Sequence, residues 1–159
     1  MNKVIVPIVI FVAIIAGGVG ASIWKKGQAA SNAPYPPKGA EFLEPSTTPE
    51  ALMAIGATRR KNKPDPLTEY QGFWIGEPGW EGTVEIVADE AGGQTLRWQQ
   101  PGGGFWVVAV LKEPDSRVKV GSVVHVMGMF EDANTVVSDY SPVPQHRVIL
   151  KNAKIVSIK

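Results

Sequence analysis

The spacing of apolar residues divides the chain into three stretches. From Val4 to Trp24 no residue carries a charge and most are aliphatic, from Gly27 to Tyr70 apolar residues follow no period, and from Gly82 onward they alternate. At about 1.5 Å of rise per residue the first stretch forms a helix of roughly 31 Å, close to the thickness of a bilayer's hydrocarbon core. Residues 1–26 are therefore expected to be a membrane anchor. Pro7 falls in the first turn, where its missing N–H costs least, and Trp24 with Lys25 and Lys26 forms an interfacial belt. Gly17, Gly18, Gly20 and Ala21 give a small-residue face on which another membrane helix can pack. Met1-Asn2-Lys3 and Val19-Gly20-Ala21 also fit a signal peptide, but the apolar core of a signal is usually only about 7–15 residues.

The second stretch, 27–71, is read as a Pro-rich linker. Pro34, Pro36 and Pro37 favour extended polyproline geometry, and the composition offers little to bury. A short helix near 48–56 interrupts it. Thr47 and Glu50 stand at capping-box spacing, Pro49 suits the first turn, and Gly56 is placed to end the helix. Its apolar side either packs on the domain or displays Leu52 and Ile55 to a partner. Arg59-Arg60-Lys61-Asn62-Lys63 is the one basic cluster, expected as a solvated loop. Phe73, Trp74 and Trp80 sit among turn-forming residues and must be buried, either as a plug of the following domain or as an interface.

The third stretch predicts strands. In the segment from Thr83 to Asp89, Val84, Ile86 and Ala88 share a face, with Val87 out of phase. Thr95 to Gln99 puts Leu96 and Trp98 on one face, and the run from Phe105 to Leu111 is apolar on both, as suits a central strand. After a turn at Gly121 a fourth strand reaches Phe130. Val124, Val126 and Phe130 share its inner face with Gly128, where a missing side chain permits a bend or a close backbone approach. The last strand, about 147–158, changes phase between Leu150 and Ala153, which predicts a bulge near Asn152.

These strands, with Gly-rich turns and no long helix, predict an all-β fold over 72–159: a small five-stranded barrel of the OB type. GSVVHVMGMF followed by VILKNAKIVSI resembles the closing two strands of OB-fold families related to the anticodon-binding domain, in which Gly-x-x-Val-x-Val-x-Gly precedes the last strand. The architecture of anchor plus barrel is similar to the membrane-anchored haem chaperone of cytochrome c maturation. That family attaches haem through a histidine beyond the last strand, and no histidine follows His146 here.

The remaining composition narrows function. A net charge of +1 gives no strong field for a nucleic-acid duplex, and zero cysteines exclude disulfides and thiolate chemistry. His125 and His146 are isolated from other ligand types in sequence, so no metal or cofactor is expected, and no convergent catalytic set emerges. The expected protein is a non-enzymatic, single-pass membrane protein with an extracytoplasmic barrel. Its partners would be the bilayer and other membrane or envelope proteins, with Leu52, Ile55, Phe73, Trp74, Trp80, Trp98 and Trp106 as interface candidates. A haem-carrier role and single-stranded nucleic-acid binding, with Trp98, Phe105, Trp106, Arg97 and Lys112 as its thin basis, are the competing readings.

Overall fold

The computed structural model describes residues 34–159 apart from 62, 91, 92, 103, 139 and 140. The uncharged run from Val4 to Trp24, with Gly17, Gly18, Gly20 and Ala21, lies outside the described residues. Among those described, no helix is long and apolar enough to cross a membrane. The chain divides into two units, Met1–Lys38 and Gly39–Lys159. Residues 39–71, expected as linker, thus fold with the β domain, and Leu43, Leu52 and Leu67 enter its core.

Helix α1 is Pro49–Ala57. Thr48 caps it, accepting a hydrogen bond from the Ala51 N–H at 3.3 Å, one position later than the Thr47–Glu50 pair predicts. Gly56 does not end the helix. A Cβ there would lie 2.6 Å from the Ala133 carbonyl oxygen, so this glycine lets the helix backbone touch a strand.

The strands are β1 (Trp80–Thr83), β2 (Ile86–Glu90), β3 (Gly93–Gln99), β4 (Trp106–Leu111), β5 (Val123–Ser138) and β6 (Ser141–Ile158). They form one six-stranded sheet in the order β1-β5-β6-β4-β3-β2, with β4 and β6 parallel and the other pairs antiparallel. The count is six rather than five because the expected first strand breaks in two. Val84 still bonds to the β5 side, through its N–H to Ser122 O (2.9 Å) and its C=O from Gly121 N (2.7 Å), whereas Glu85 N–H bonds to Arg97 O on β3 (2.9 Å). The chain thus crosses from one edge of the sheet to the other within a single peptide, and the sheet curls on itself. The break also resets the phase: Ile86 is exposed, and Val87 turns to the core instead.

Inside the curl lie Leu96, Trp98, Val107, Ala109, Val124, Val126, Phe130, Val148 and Leu150, none with measurable exposure. Each large aliphatic or aromatic side chain so buried contributes about 1.5–3 kcal/mol. Gly82 of β1 lies against the Trp98 indole, where a Cβ would come within 2.2 Å of the ring, so only glycine lets β1 close over it. Gly128 plays the predicted role: a Cβ there would sit 3.2 Å from Leu150 Cβ. The bulge near Asn152 is present as well. The register of β6 shifts against both β4 and β5 at this point, and Asn152 takes φ 49°, a region asparagine tolerates better than most residues.

Candidate functional site

Two surface features stand out, and both are built on β5. The first begins with the segment 73–75, which continues beside β5 where β1 leaves off. Ile75 N–H donates to Gly128 O (2.8 Å) and Phe130 N–H to Phe73 O (2.8 Å). On its other side this segment pairs with residues 41–43, through Trp74 N–H to Glu41 O (2.8 Å) and Leu43 N–H to Trp74 O (2.9 Å). Opposed residues share a sheet face, so Phe42, Trp74 and Met129 form one row, while Leu43, Phe73 and Ile75 turn into the core.

From Ile75 the chain makes a tight turn containing a cis Glu77–Pro78 peptide, closed by Gly79 N–H to Gly76 O (2.9 Å). Gly79, at φ 85°, lies against the Val126 backbone, where a Cβ would come within 2.6 Å of the carbonyl oxygen. This turn and the 41–47 segment enclose a groove of about 590 Å³. Phe42, Ile75, Pro78 and Trp80 supply its apolar walls, and Glu44 and Glu77 are its charged groups. Phe42 is half exposed and Trp80 half buried, so aromatic surface faces the opening.

The second feature is an arm. Pairing of β4 with β6 begins only at Arg147, yet β5 and β6 stay paired from there out to Ser138 and Ser141. Beyond Asn134 and Arg147 the two strands form a ribbon with no third strand on either side among the described residues. It carries Val137 and Val143 at 63% and 66% exposure. Its base is clamped. Arg59 donates to Asp65 (Nε to Oδ1, 2.9 Å), to Asp132 of β5 and to the Ala133 carbonyl oxygen (3.2 Å). Asp65 and Asp132 raise the Arg59 pKa, and the Arg59 hydrogen bond followed by the Leu67 N–H lowers that of Asp65. The first cation of the basic cluster is therefore a structural clamp, while Arg60, Lys61 and Lys63 are exposed.

A third arrangement escaped the sequence reading. Glu81, His125 and Ser157 lie opposite one another on β1, β5 and β6, with Glu81 Oε2 3.2 Å from His125 Nε2 and Ser157 Oγ 3.1 Å from His125 Nδ1. Cross-strand register alone could have revealed it. Acyl transfer would further need backbone donors free to hold an oxyanion. Here β5 is paired on both sides, and Lys159 Nζ holds Glu81 at 3.0 Å and keeps its carboxyl below the usual range. The row works as a cross-strand tie. His146 is hydrogen-bonded to Thr135 Oγ1 at 2.7 Å, and among the described residues no group of three metal-binding side chains converges.

The expected interface residues scatter. Leu52 and Trp98 have no exposure and belong to the core, whereas Trp74, at 5%, is buried in the row with Phe42 and Met129 on the opposite face. Ile55 and Phe73 pack partly against the core. Trp80 lines the groove, and Trp106 lies on the outer face of β4, opposite Gln99 of β3 and Arg147 of β6. The structure thus brings Trp80 together with Phe42 and Pro78 around the groove. Phe42 carried no signal in the sequence, because its partner strand is formed by residues more than thirty positions away. Compared with known proteins, the chain matches no protein-family model and no curated protein.

Proposed function

We propose that this chain is a non-catalytic accessory subunit of a membrane or envelope complex, held by the uncharged run from Val4 to Trp24, whose OB-type barrel makes protein contacts. The strand order supports the OB-type reading. If β1 and β2 are counted as one broken strand, five strands remain, the first pairs with both the second and the fourth, and the third runs parallel to the fifth. The observation that carries the contact role is the ribbon. Two strand edges that have no neighbour among the described residues, with two exposed valines, offer a partner main-chain hydrogen bonds and apolar area, which a self-contained domain normally avoids presenting.

The test is mild-detergent purification of the tagged full-length protein from its native membrane, with and without Val137→Thr and Val143→Thr. Stoichiometric partner chains that disappear from the double variant, at unchanged circular dichroism, support the reading. A lone monomer in both preparations overturns it, and a Soret band would point to a haem carrier instead.

A second reading rests on one other observation. Trp106, Val108 and Ile149 share the outer face of β4 and β6 with Arg97 and Arg147, the kind of aromatic and cationic mixture that single-stranded nucleic acid uses. Against it, Arg97 is engaged by Glu90 and Arg147 by Asn134. Affinity for an oligothymidine that falls steeply with salt would favour this second reading.

A further inference from the structure

We propose that the groove between the 41–47 segment and the 76–80 turn is a receptor for a cationic side chain, a lysine or arginine presented on an extended segment of a partner protein. The proposal uses the protein-contact reading for the source of the ligand, but it concerns a different surface from the ribbon.

Three features of the groove converge on this chemistry. Its walls are aromatic and apolar, with Phe42, Trp80, Ile75 and Pro78 around a volume of about 590 Å³, room for a long side chain and its flanking backbone. Its charged lining consists of two carboxylates, Glu44 and Glu77, with no lysine or arginine among the lining residues. Neither carboxylate takes part in an ion pair or side-chain hydrogen bond among the described residues, although most other acidic side chains near β5 do. Aromatic faces attract a cation through their ring quadrupoles, and a carboxylate beside them adds a charge-assisted hydrogen bond. The same surroundings repel an anion and give a neutral apolar ligand no use for the two charges. The occupant is therefore a cation with an apolar stem, which is the description of a lysine or arginine side chain.

The groove is also preformed. Its floor and walls are held by backbone hydrogen bonds of 2.8–2.9 Å from Trp74, Leu43, Ile75 and Gly79, and Gly79 is locked against β5, so little ordering remains to be done on binding.

The experiment titrates full-length protein in detergent with a short Gly-Arg-Gly-Arg-Gly peptide, and with its citrulline counterpart, by calorimetry. The arginine peptide is expected to bind at least tenfold more tightly than the neutral one, with affinity falling as salt rises. Glu44→Gln with Glu77→Gln, and separately Phe42→Ala, should each weaken it five- to tenfold. These residues are surface groups, so circular dichroism should be unchanged. Val137→Thr with Val143→Thr should leave peptide binding intact even where it abolishes capture of partner chains, so the groove and the ribbon fail separately. Equal binding of both peptides, or binding that survives the double glutamine variant, overturns the proposal. So does a concentration-dependent dimer that the glutamine variant dissolves and the peptide does not compete with, since the occupant is then a second copy of the chain.

Discussion

The groove and the ribbon share β5 but are built in opposite ways. At the groove the central segment has a neighbour on each side: residues 73–75 lie between 41–43 and β5, and the turn at Gly79 rests on the Val126 backbone. Along the ribbon each strand has one neighbour among the described residues, and Val137 and Val143 face solvent. The difference separates a site whose shape is fixed before binding from one whose hydrogen-bonding edge is completed by binding. Stability should therefore be concentrated at the groove and the ribbon's base, and lacking at the ribbon's end.

The strongest way to break the contrast is Gly79→Ala. A Cβ forced within 2.6 Å of the Val126 carbonyl oxygen, at a positive φ, should cost about 3 kcal/mol in urea unfolding. A loss near zero would mean that the turn floats free of β5. Gly56→Ala comes next, since its Cβ would press on the Ala133 carbonyl at the ribbon's base. Overpacking of about 1–3 kcal/mol, less the roughly 1 kcal/mol that alanine adds to helix propensity, leaves a net loss of about 1 kcal/mol. Arg59→Ala should cost a similar or smaller amount, about 1 kcal/mol, by removing the Arg59 donor from Asp132 Oδ1 and the Ala133 carbonyl while Asn134 still donates to Asp132 Oδ2.

The same clamp gives the ribbon's base a pH dependence. Asp65 is held below the usual carboxylate range, so its stabilisation is complete above about pH 4 and is lost as pH falls below that value. Thermal melts of the wild type should drop more steeply below pH 4 than those of Arg59→Ala; parallel curves would remove the clamp from the account. At the small end, Val137→Thr and Val143→Thr should shift unfolding by no more than about 0.5 kcal/mol. A larger loss would show that the ribbon is packed after all.

How much of this could be read in advance depended on the range of the interaction responsible. Alternation alone grouped Leu96 with Trp98, and Val124 with Val126 and Phe130, on faces that the structure buries, and the phase change in the last strand located the bulge at Asn152. Gly128 was legible because a glycine on the inner face of an alternating strand has few other reasons to be there. Local rules connect glycine with C-caps and so mark Gly56 as a helix stop, whereas the reason for this glycine lies on β5. Leu52 and Trp98 are interface candidates by sequence, yet both are fully buried. Hydrophobicity specifies that a side chain leaves water, not which surface it meets.

The chain by itself determined that its second half is built of strands, and where the short helix and the uncharged run lie, because these follow from residues within a turn or two of one another; it did not determine the split of the first strand or the extension of the last two to Ser138 and Ser141. Tertiary structure alone decided that residues 39–71 belong to the domain, that Phe42 pairs with Trp74, that Glu44 and Glu77 line one aromatic groove, and that the hairpin outruns its neighbours. Each of these depends on contacts between segments far apart in sequence. Such contacts are selected by how the curled sheet closes, and no local pattern records that.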